Sequence, residues 1–160
     1  MNLRVEVQRA DPEVAAPDDD FFADWIARAL EAAGQSLNAD VSVRVVDADE
    51  MRVLNRDYRD KDKPTNVLSF PAGLIEGLPE AEPVPIGDIV VCADVVSAEA
   101  AEQSKPVQDH WAHMLVHATL HLLGFDHIED EEAAAMEALE TRALAAQGIP
   151  DPYGAAGENC

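Results

Sequence analysis

The sequence predicts a single α/β (α+β) domain in which a small four-stranded mixed sheet is backed by helices. Three observations support this fold class. The 160 residues suffice for one hydrophobic core. Four short runs with strand character are interspersed with helical patterns up to Cys92, and beyond it the pattern is helical to the end. The chain has no internal repeat and no linker, so we expect one domain over residues 1–160 with a frayed tail at 150–160.

The first strand covers residues 3–7, where leucine and valine alternate with arginine and glutamate. A helix follows from the aspartates at 18–20 to Gly34, because large apolar residues recur at helical spacing between them. Valines at every second position of 41–45 then predict the second strand.

A short second helix is predicted to begin at Asp47. Asp47 and Glu50 have the spacing of a capping box, in which each side chain accepts a hydrogen bond from the other residue's amide. Met51, Leu54 and Tyr58 follow on one face of this helix.

The third strand is predicted at residues 67–70 and ends at Pro71, and the fourth is predicted at residues 86–92. The glycine- and proline-rich stretch 71–85 predicts a surface loop between them. Asp88 interrupts the apolar fourth strand, so we expect its carboxylate to have a partner and a structural role.

The remaining elements are predicted to be helices. Asp94 is expected to cap a helix that runs to about Gln103, and Pro106 to open the next one. Residues 130–147 are rich in alanine and glutamate and predict the last helix.

Composition limits the compartment and the partners. The chain has only two cysteines, which form neither a disulfide framework nor a zinc-binding CxxC pair, so we expect a reducing, cytoplasmic location. Neither a signal peptide nor an apolar run long enough to span a membrane is apparent, so no membrane partner is expected. The formal charge of −21 argues against nonspecific coating of nucleic acid.

Three histidines carry the main chemical signal. His117 and His121 are four residues apart, so on a helix their imidazoles can converge on one metal ion. Gly124 can end that helix in a left-handed conformation and return the chain, which would bring His127 to the third corner. Three imidazoles leave one tetrahedral position open for water, as in catalytic zinc sites. The pattern therefore predicts a metal-dependent hydrolase.

Two other histidines, His110 and His113, precede this motif. His113 and His121 are two helical turns apart, about 11–12 Å along the axis, which is too far for both to bind one ion. His113 is therefore a neighbour of the metal site, and we favour a packing role over an orienting contact.

The motif leaves both phosphoryl and acyl transfer open. Its spacing is also that of a long metalloprotease motif, in which a glutamate directly follows the first histidine as general base. Here that residue is Ala118, which disfavours peptide hydrolysis.

A phosphodiester transition state instead requires cations beside the metal. Five of the eleven basic residues lie within twelve positions. We call them the basic strip; they are Arg52, Arg56, Arg59, Lys61 and Lys63. Arg59 is our choice for the phosphate contact, because a guanidinium grips phosphate in a bidentate manner. A salt bridge from Arg59 to one of the interleaved aspartates is equally compatible with the pattern.

These motifs resemble the YbeY family of bacterial endoribonucleases, also called rRNA maturation factors. The stretch His117–His127 resembles the family's zinc motif, and Leu54–Pro71 resembles its second signature. Gly87–Ile89 is similar to the third signature, and Met136 and Glu140 match a weaker pattern in the last helix. Together they cover residues 50 to 140 in the family's order.

The resemblance implies a zinc-dependent, single-strand-specific endoribonuclease that acts in 16S rRNA 3′-end maturation and ribosome quality control. It implies that His117, His121 and His127 bind one Zn²⁺ per chain and that Arg59 is the catalytic arginine. The implied partners are single-stranded RNA, including rRNA, and the ribosome with its associated proteins.

Three positions depart from the family's usual residues: Ala118 replaces glycine, Phe125 replaces tyrosine, and Asn66 replaces aspartate. None of them is a predicted ligand or Arg59. Two alternatives stay open at this point: a metal-dependent peptidase or amidase, and a noncatalytic ribosome-associated zinc protein.

Overall fold

The computed structural model of the chain describes residues 3–10, 16–34, 39–71, 84–124 and 130–149. Within these ranges the strands are β1 (Leu3–Arg9), β2 (Ala39–Val46), β3 (Val67–Pro71) and β4 (Val84–Cys92). The helices are α1 (Asp19–Ala32), α2 (Ala48–Arg59), α3 (Ala93–Glu102), α4 (Val107–Leu122) and α5 (Asp130–Ala145). The predicted order of strands and helices is confirmed.

The four strands form one mixed sheet in the order β1-β2-β4-β3. Strands β1, β2 and β4 are parallel, and β3 pairs antiparallel with β4 at the edge of the sheet. The sheet confirms the predicted α/β (α+β) fold with a helical C-terminal half.

Helices cover the two faces of the sheet unequally. The larger apolar cluster joins the valines of β2 to α1, α4 and α5, and helix α4 is buried around most of its circumference. A smaller cluster on the other face contains Met51 of α2 and Val90 of β4. Helix α4, which carries four of the five histidines, is therefore packed on most of its sides at the centre of the molecule.

Two helix caps differ from the predictions. Asp47 does cap α2, accepting a hydrogen bond from the amide of Glu50 at 2.8 Å, but the Glu50 carboxylate pairs with Arg44 at 2.6 Å. Asp94 was expected to cap α3 and instead lies in its first turn, accepting from the amide of Ala48 at 3.2 Å. Helix α3 follows β4 directly, so no residue is left between them to place a capping side chain.

Asp88 is another correction. Its side chain is exposed on the α2 side of the sheet, where it borders a groove of about 480 Å³ together with Tyr58 and Phe70. Solvent already satisfies this carboxylate, so the expected cost of a buried charge does not arise. Most of the predicted surface loop, the segment 125–129 with His127, and the tail 150–160 lie outside the described residues.

Gly87 allows strand β3 and helix α4 to approach the backbone of β4 closely. It has a φ of +148°, and a Cβ added there would lie 2.5 Å from the carbonyl oxygen of Phe70 and 2.6 Å from Leu122 Cδ2. We expect Gly87→Ala to lower the free energy of unfolding by at least about 2 kcal/mol, since overpacking and backbone strain add. Urea denaturation measures this loss.

Gly34→Ala is the matched control, because Gly34 also has a positive φ of +75° but has nothing within 4 Å of an added Cβ. Its expected loss is only the backbone part, about 1 kcal/mol. Equal losses for the two variants would contradict the close-packing argument.

Candidate active site

A cleft of about 890 Å³ opens between helix α4 and the edge formed by strand β3 and the chain that leads into it. His117 and His121 line one side of the cleft. Arg59, Lys61 and Lys63 line it as well, so the structure brings the two helical histidines and three members of the basic strip to one place.

The two helical histidines converge as their spacing predicts. The ring centroids of His117 and His121 are 4.6 Å apart, and the ring planes are inclined by 79°. Both side chains are only partly buried, which leaves the rings accessible from the cleft. Gly124, with a φ of +101°, has the positive φ expected where the helix ends.

A buried carboxylate from helix α5 orients the first histidine. Nδ1 of His117 lies 2.6 Å from Oε1 of Glu140, and Glu140 is fully buried. Burial by itself would raise the pKa of Glu140, but the imidazoles of His113 and His117 outweigh it and lower the pKa to about 2. An ionised carboxylate can only accept, so Nδ1 of His117 donates to Glu140.

His113 lies beside the same carboxylate. Its Nε2 is 3.8 Å from Oε1 of Glu140, which is longer than a hydrogen bond. Burial lowers the pKa of His113, with Glu140 acting in the opposite direction, and the shift favours a neutral ring. Donor atoms of His113, His117 and Glu140 lie within 4.8 Å of one another, close enough for this group to hold a metal ion.

Arg59 is the last residue of helix α2 and lines the same cleft as the two histidines. Its Nη2 donates to the backbone carbonyl of Ser69 at 3.3 Å, and no ion pair of Arg59 is present among the described residues. The salt bridge that the sequence left open is therefore not formed within the described part of the chain.

The rest of the basic strip divides into two groups. Arg52 pairs with Asp62 at 2.8 Å, and Arg56 pairs with Asp57 at 3.2 Å, all with side chains about half exposed. These two arginines form the solvated mixed-charge surface that the sequence also allowed. Only the last three members of the strip border the cleft.

The chain that carries the two lysines is anchored by a buried asparagine. Nδ2 of Asn55 donates to the carbonyl of Lys63 at 2.8 Å, and the carbonyl of Asn55 accepts from the amide of Lys61 at 3.3 Å. Asp60 turns the chain between them with a φ of +59°. Asn55 was not predicted from the sequence as a site residue, although a polar residue on the buried face of a helix usually indicates such an anchor.

His110 has a separate role. Its Nε2 lies 2.8 Å from Oε1 of Glu99, and the same carboxylate accepts from the side-chain amide of Asn66 at 3.1 Å. Burial would raise the pKa of Glu99, but hydrogen bonds with His110 and Asn66 lower it. This network joins α3, α4 and the start of β3, and His110 does not border the cleft.

Glu140 was noticed in the sequence only as part of a weak pattern. Met136, Glu140 and Leu144 recur at helical spacing, and all three are fully buried. A charged residue within an apolar helical stripe requires a partner, and that signal identifies Glu140 as a residue with a specific role.

Comparison with known proteins supports the family suggested by the motifs. The family model described as "Endoribonuclease YbeY" matches residues 5–148. A protein of that name from Alcanivorax borkumensis is 54% identical over 150 residues, covering 93% of this chain and 85% of the relative. Another from Xanthomonas axonopodis pv. citri is 52% identical over 160 residues, covering 99% and 97%.

The fold also matches a solved structure. The solution structure of TM1509 from Thermotoga maritima is similar with a TM-score of 0.57 and 23% identity, covering 98% of this chain and 93% of that one. At this identity the match supports the fold alone. No helix within the described ranges is long and apolar enough to cross a membrane. The family model covers nearly all of the chain, and the relatives are more than half identical to it. This chain therefore belongs to the YbeY endoribonuclease family.

Proposed function

We propose that this protein is a zinc-dependent endoribonuclease that cleaves single-stranded RNA. The observation that carries the proposal is that His117 and His121 line the same cleft as three cations, Arg59, Lys61 and Lys63. Nitrogen donors beside fixed cations suit a phosphodiester better than an uncharged amide.

The described residues fit a zinc ion at the cleft end of α4. Nδ1 of His117 is engaged by Glu140, so His117 would bind the ion through Nε2, and a carboxylate on the other ring nitrogen is the usual arrangement behind a zinc-bound histidine. His121 supplies a second imidazole from the next turn. We propose His127 as the third ligand, because the positive φ of Gly124 ends the helix three residues earlier, where a reversal of the chain would bring a third imidazole to the pair.

The buried group of His113, His117 and Glu140 is less suitable as the ion's position. Two ligands of one tetrahedral zinc ion are about 3.3 Å apart, given bonds of about 2.0–2.1 Å. Nδ1 of His117 and Oε1 of Glu140 are 2.6 Å apart, which is a hydrogen-bond distance. We therefore assign Glu140 the task of orienting His117, and His113 that of packing beside the carboxylate.

A zinc ion held there would lower the pKa of a bound water to about 7 and would polarise a phosphoryl oxygen. The protein's own residues bind and orient the phosphates. Arg59 is placed to donate to the nonbridging oxygens, where negative charge accumulates in the transition state. Lys61 and Lys63 attract the phosphates that flank the scissile one.

The strip also explains how an acidic protein can bind RNA. The net charge of −21 repels phosphate over most of the surface, whereas three cations line the cleft. Screening confines each effect to about 10 Å, so the local sign decides binding at the cleft. We propose rRNA as the substrate class, with action in 16S rRNA 3′-end maturation and ribosome quality control in the cytoplasm, alongside ribosome-associated proteins.

A cleavage panel tests the substrate class. The purified, zinc-loaded protein is incubated with end-labelled single-stranded RNA, the same RNA as a duplex, and unstructured peptides. We expect internal cuts in the single strand, at least about 10-fold slower cutting of the duplex, and intact peptides, because base pairing holds the backbone of a duplex in A-form geometry and keeps it from adapting to the cleft.

The alternatives predict different results. Cleavage of peptides without cleavage of RNA would support the peptidase or amidase reading, which Ala118 disfavours. Stoichiometric zinc with no cleavage of any substrate would support a noncatalytic zinc protein.

A further inference from the structure

Ser69 connects the two sides of the cleft. Its hydroxyl oxygen Oγ donates to the backbone carbonyl of Ala118 at 3.1 Å, and its own carbonyl accepts from Nη2 of Arg59 at 3.3 Å. Ala118 lies between the two cleft histidines in helix α4. Two hydrogen bonds in series therefore join the guanidinium to the turn that carries the histidines.

The hydroxyl at this position is buried and specific. Ser69 is only 7% exposed, and it lies on edge strand β3, opposite Ile89 of β4. The Ala118 carbonyl has two lone pairs, so it can accept from Ser69 without losing its place in the helix. A buried hydroxyl that reaches a neighbouring helix fixes the distance between the two elements.

We propose that Ser69 is a positioning residue that sets the separation and orientation of Arg59 relative to the histidine pair. The inference rests on the proposed function, in which Arg59 contacts the phosphate. Catalytic groups lose efficiency when they move by about 1 Å, so a lost tether lowers turnover without removing any group that touches the substrate.

Ser69→Ala removes the tether, and Thr119→Val is the matched control. Thr119 is also a buried hydroxyl residue bonded to a carbonyl of α4, donating to Leu115 at 2.7 Å, but it does not connect α4 to another element. We expect Ser69→Ala to lower kcat about 10-fold, the value of one well-placed hydrogen bond, with KM changed by less than about 2-fold. Thr119→Val should leave kcat within about 2-fold. Equal kcat values for the two variants would overturn the proposal.

A double-mutant cycle tests whether Ser69 acts through Arg59. In an Arg59→Ala background, Ser69→Ala should have no further effect on kcat, because the group that it positions is absent. A further 10-fold loss in that background would show that Ser69 acts independently of Arg59 and would overturn the proposal.

A measurement that needs no activity separates this inference from the proposed function. The ¹⁵N relaxation of the Arg59 Nε–Hε group, assigned by its loss in Arg59→Lys, reports the mobility of the guanidinium with and without zinc. We expect greater mobility in Ser69→Ala and unchanged mobility in Thr119→Val. Unchanged mobility in Ser69→Ala overturns the proposal even if the parent protein cleaves RNA, and greater mobility supports it even if the parent does not.

Ser69→Cys guards against misfolding of the alanine variant. Cysteine is close to serine in size but donates only a weak hydrogen bond. Its Arg59 mobility should fall between those of the parent and Ser69→Ala, and mobility equal to the parent would count against the tether.

Discussion

Replacing His121 with alanine should abolish both zinc binding and RNA cleavage while leaving the protein folded. His121 is partly exposed in the cleft and contributes one of three proposed ligands, so its loss opens the site without making a cavity in the core. Zinc content after dialysis, RNA cleavage and a thermal melt of the metal-free protein measure the three properties. A chelator should inactivate the parent protein, and added zinc should restore its activity.

His110→Ala is the control for this experiment. His110 lies on the same helix but outside the cleft, and its Nε2 is 2.8 Å from Oε1 of Glu99. The two variants should have opposite effects on melting temperature and zinc content. His110→Ala lowers the melting temperature and keeps its zinc, whereas His121→Ala keeps its melting temperature and loses zinc. If His121→Ala unfolds, zinc is a structural element, and the noncatalytic alternative gains support. If it retains full cleavage, the ion does not act at this site.

Replacing Arg59 with alanine should lower kcat about 100- to 1000-fold, the typical effect of removing one preorganised donor to transition-state charge. The fold and the zinc content should not change, because Arg59 lies at the exposed end of α2 and makes one hydrogen bond to a backbone carbonyl. Single-turnover cleavage at saturating RNA measures the chemical step.

Two variants make this prediction specific. Arg59→Lys keeps the charge but loses the planar fork, so its kcat should lie between those of the parent and the alanine variant. Arg56→Ala removes an arginine from the same helix that pairs with Asp57 outside the cleft, and its kcat should stay within about 3-fold of the parent. Equal losses in Arg56→Ala and Arg59→Ala would indicate a general effect of charge and would remove Arg59 from its catalytic role.

Local signals in the sequence were sufficient to predict the secondary structure. Alternating valines, the aspartate caps and the helical apolar stripes depend on neighbours within a few residues, so each strand and helix could be placed. Long-range partners of charged side chains could not be predicted in this way. Glu50 and Asp94 show the limit, because each fits a local capping role and instead contacts a residue that only the folded chain brings near.

The sequence by itself determined the order of strands and helices along the chain and the convergence of His117 with His121, since these follow from periodicity, and it left Arg59 open between a phosphate contact and a salt bridge. Tertiary structure alone decided which members of the basic strip border the cleft, which carboxylate orients His117, and how Ser69 ties strand β3 to helix α4. The physical reason is distance along the chain. Glu140 is 23 residues from His117 and Ser69 is 49 from Ala118, so only the packing of α5 and β3 against α4 brings them into contact.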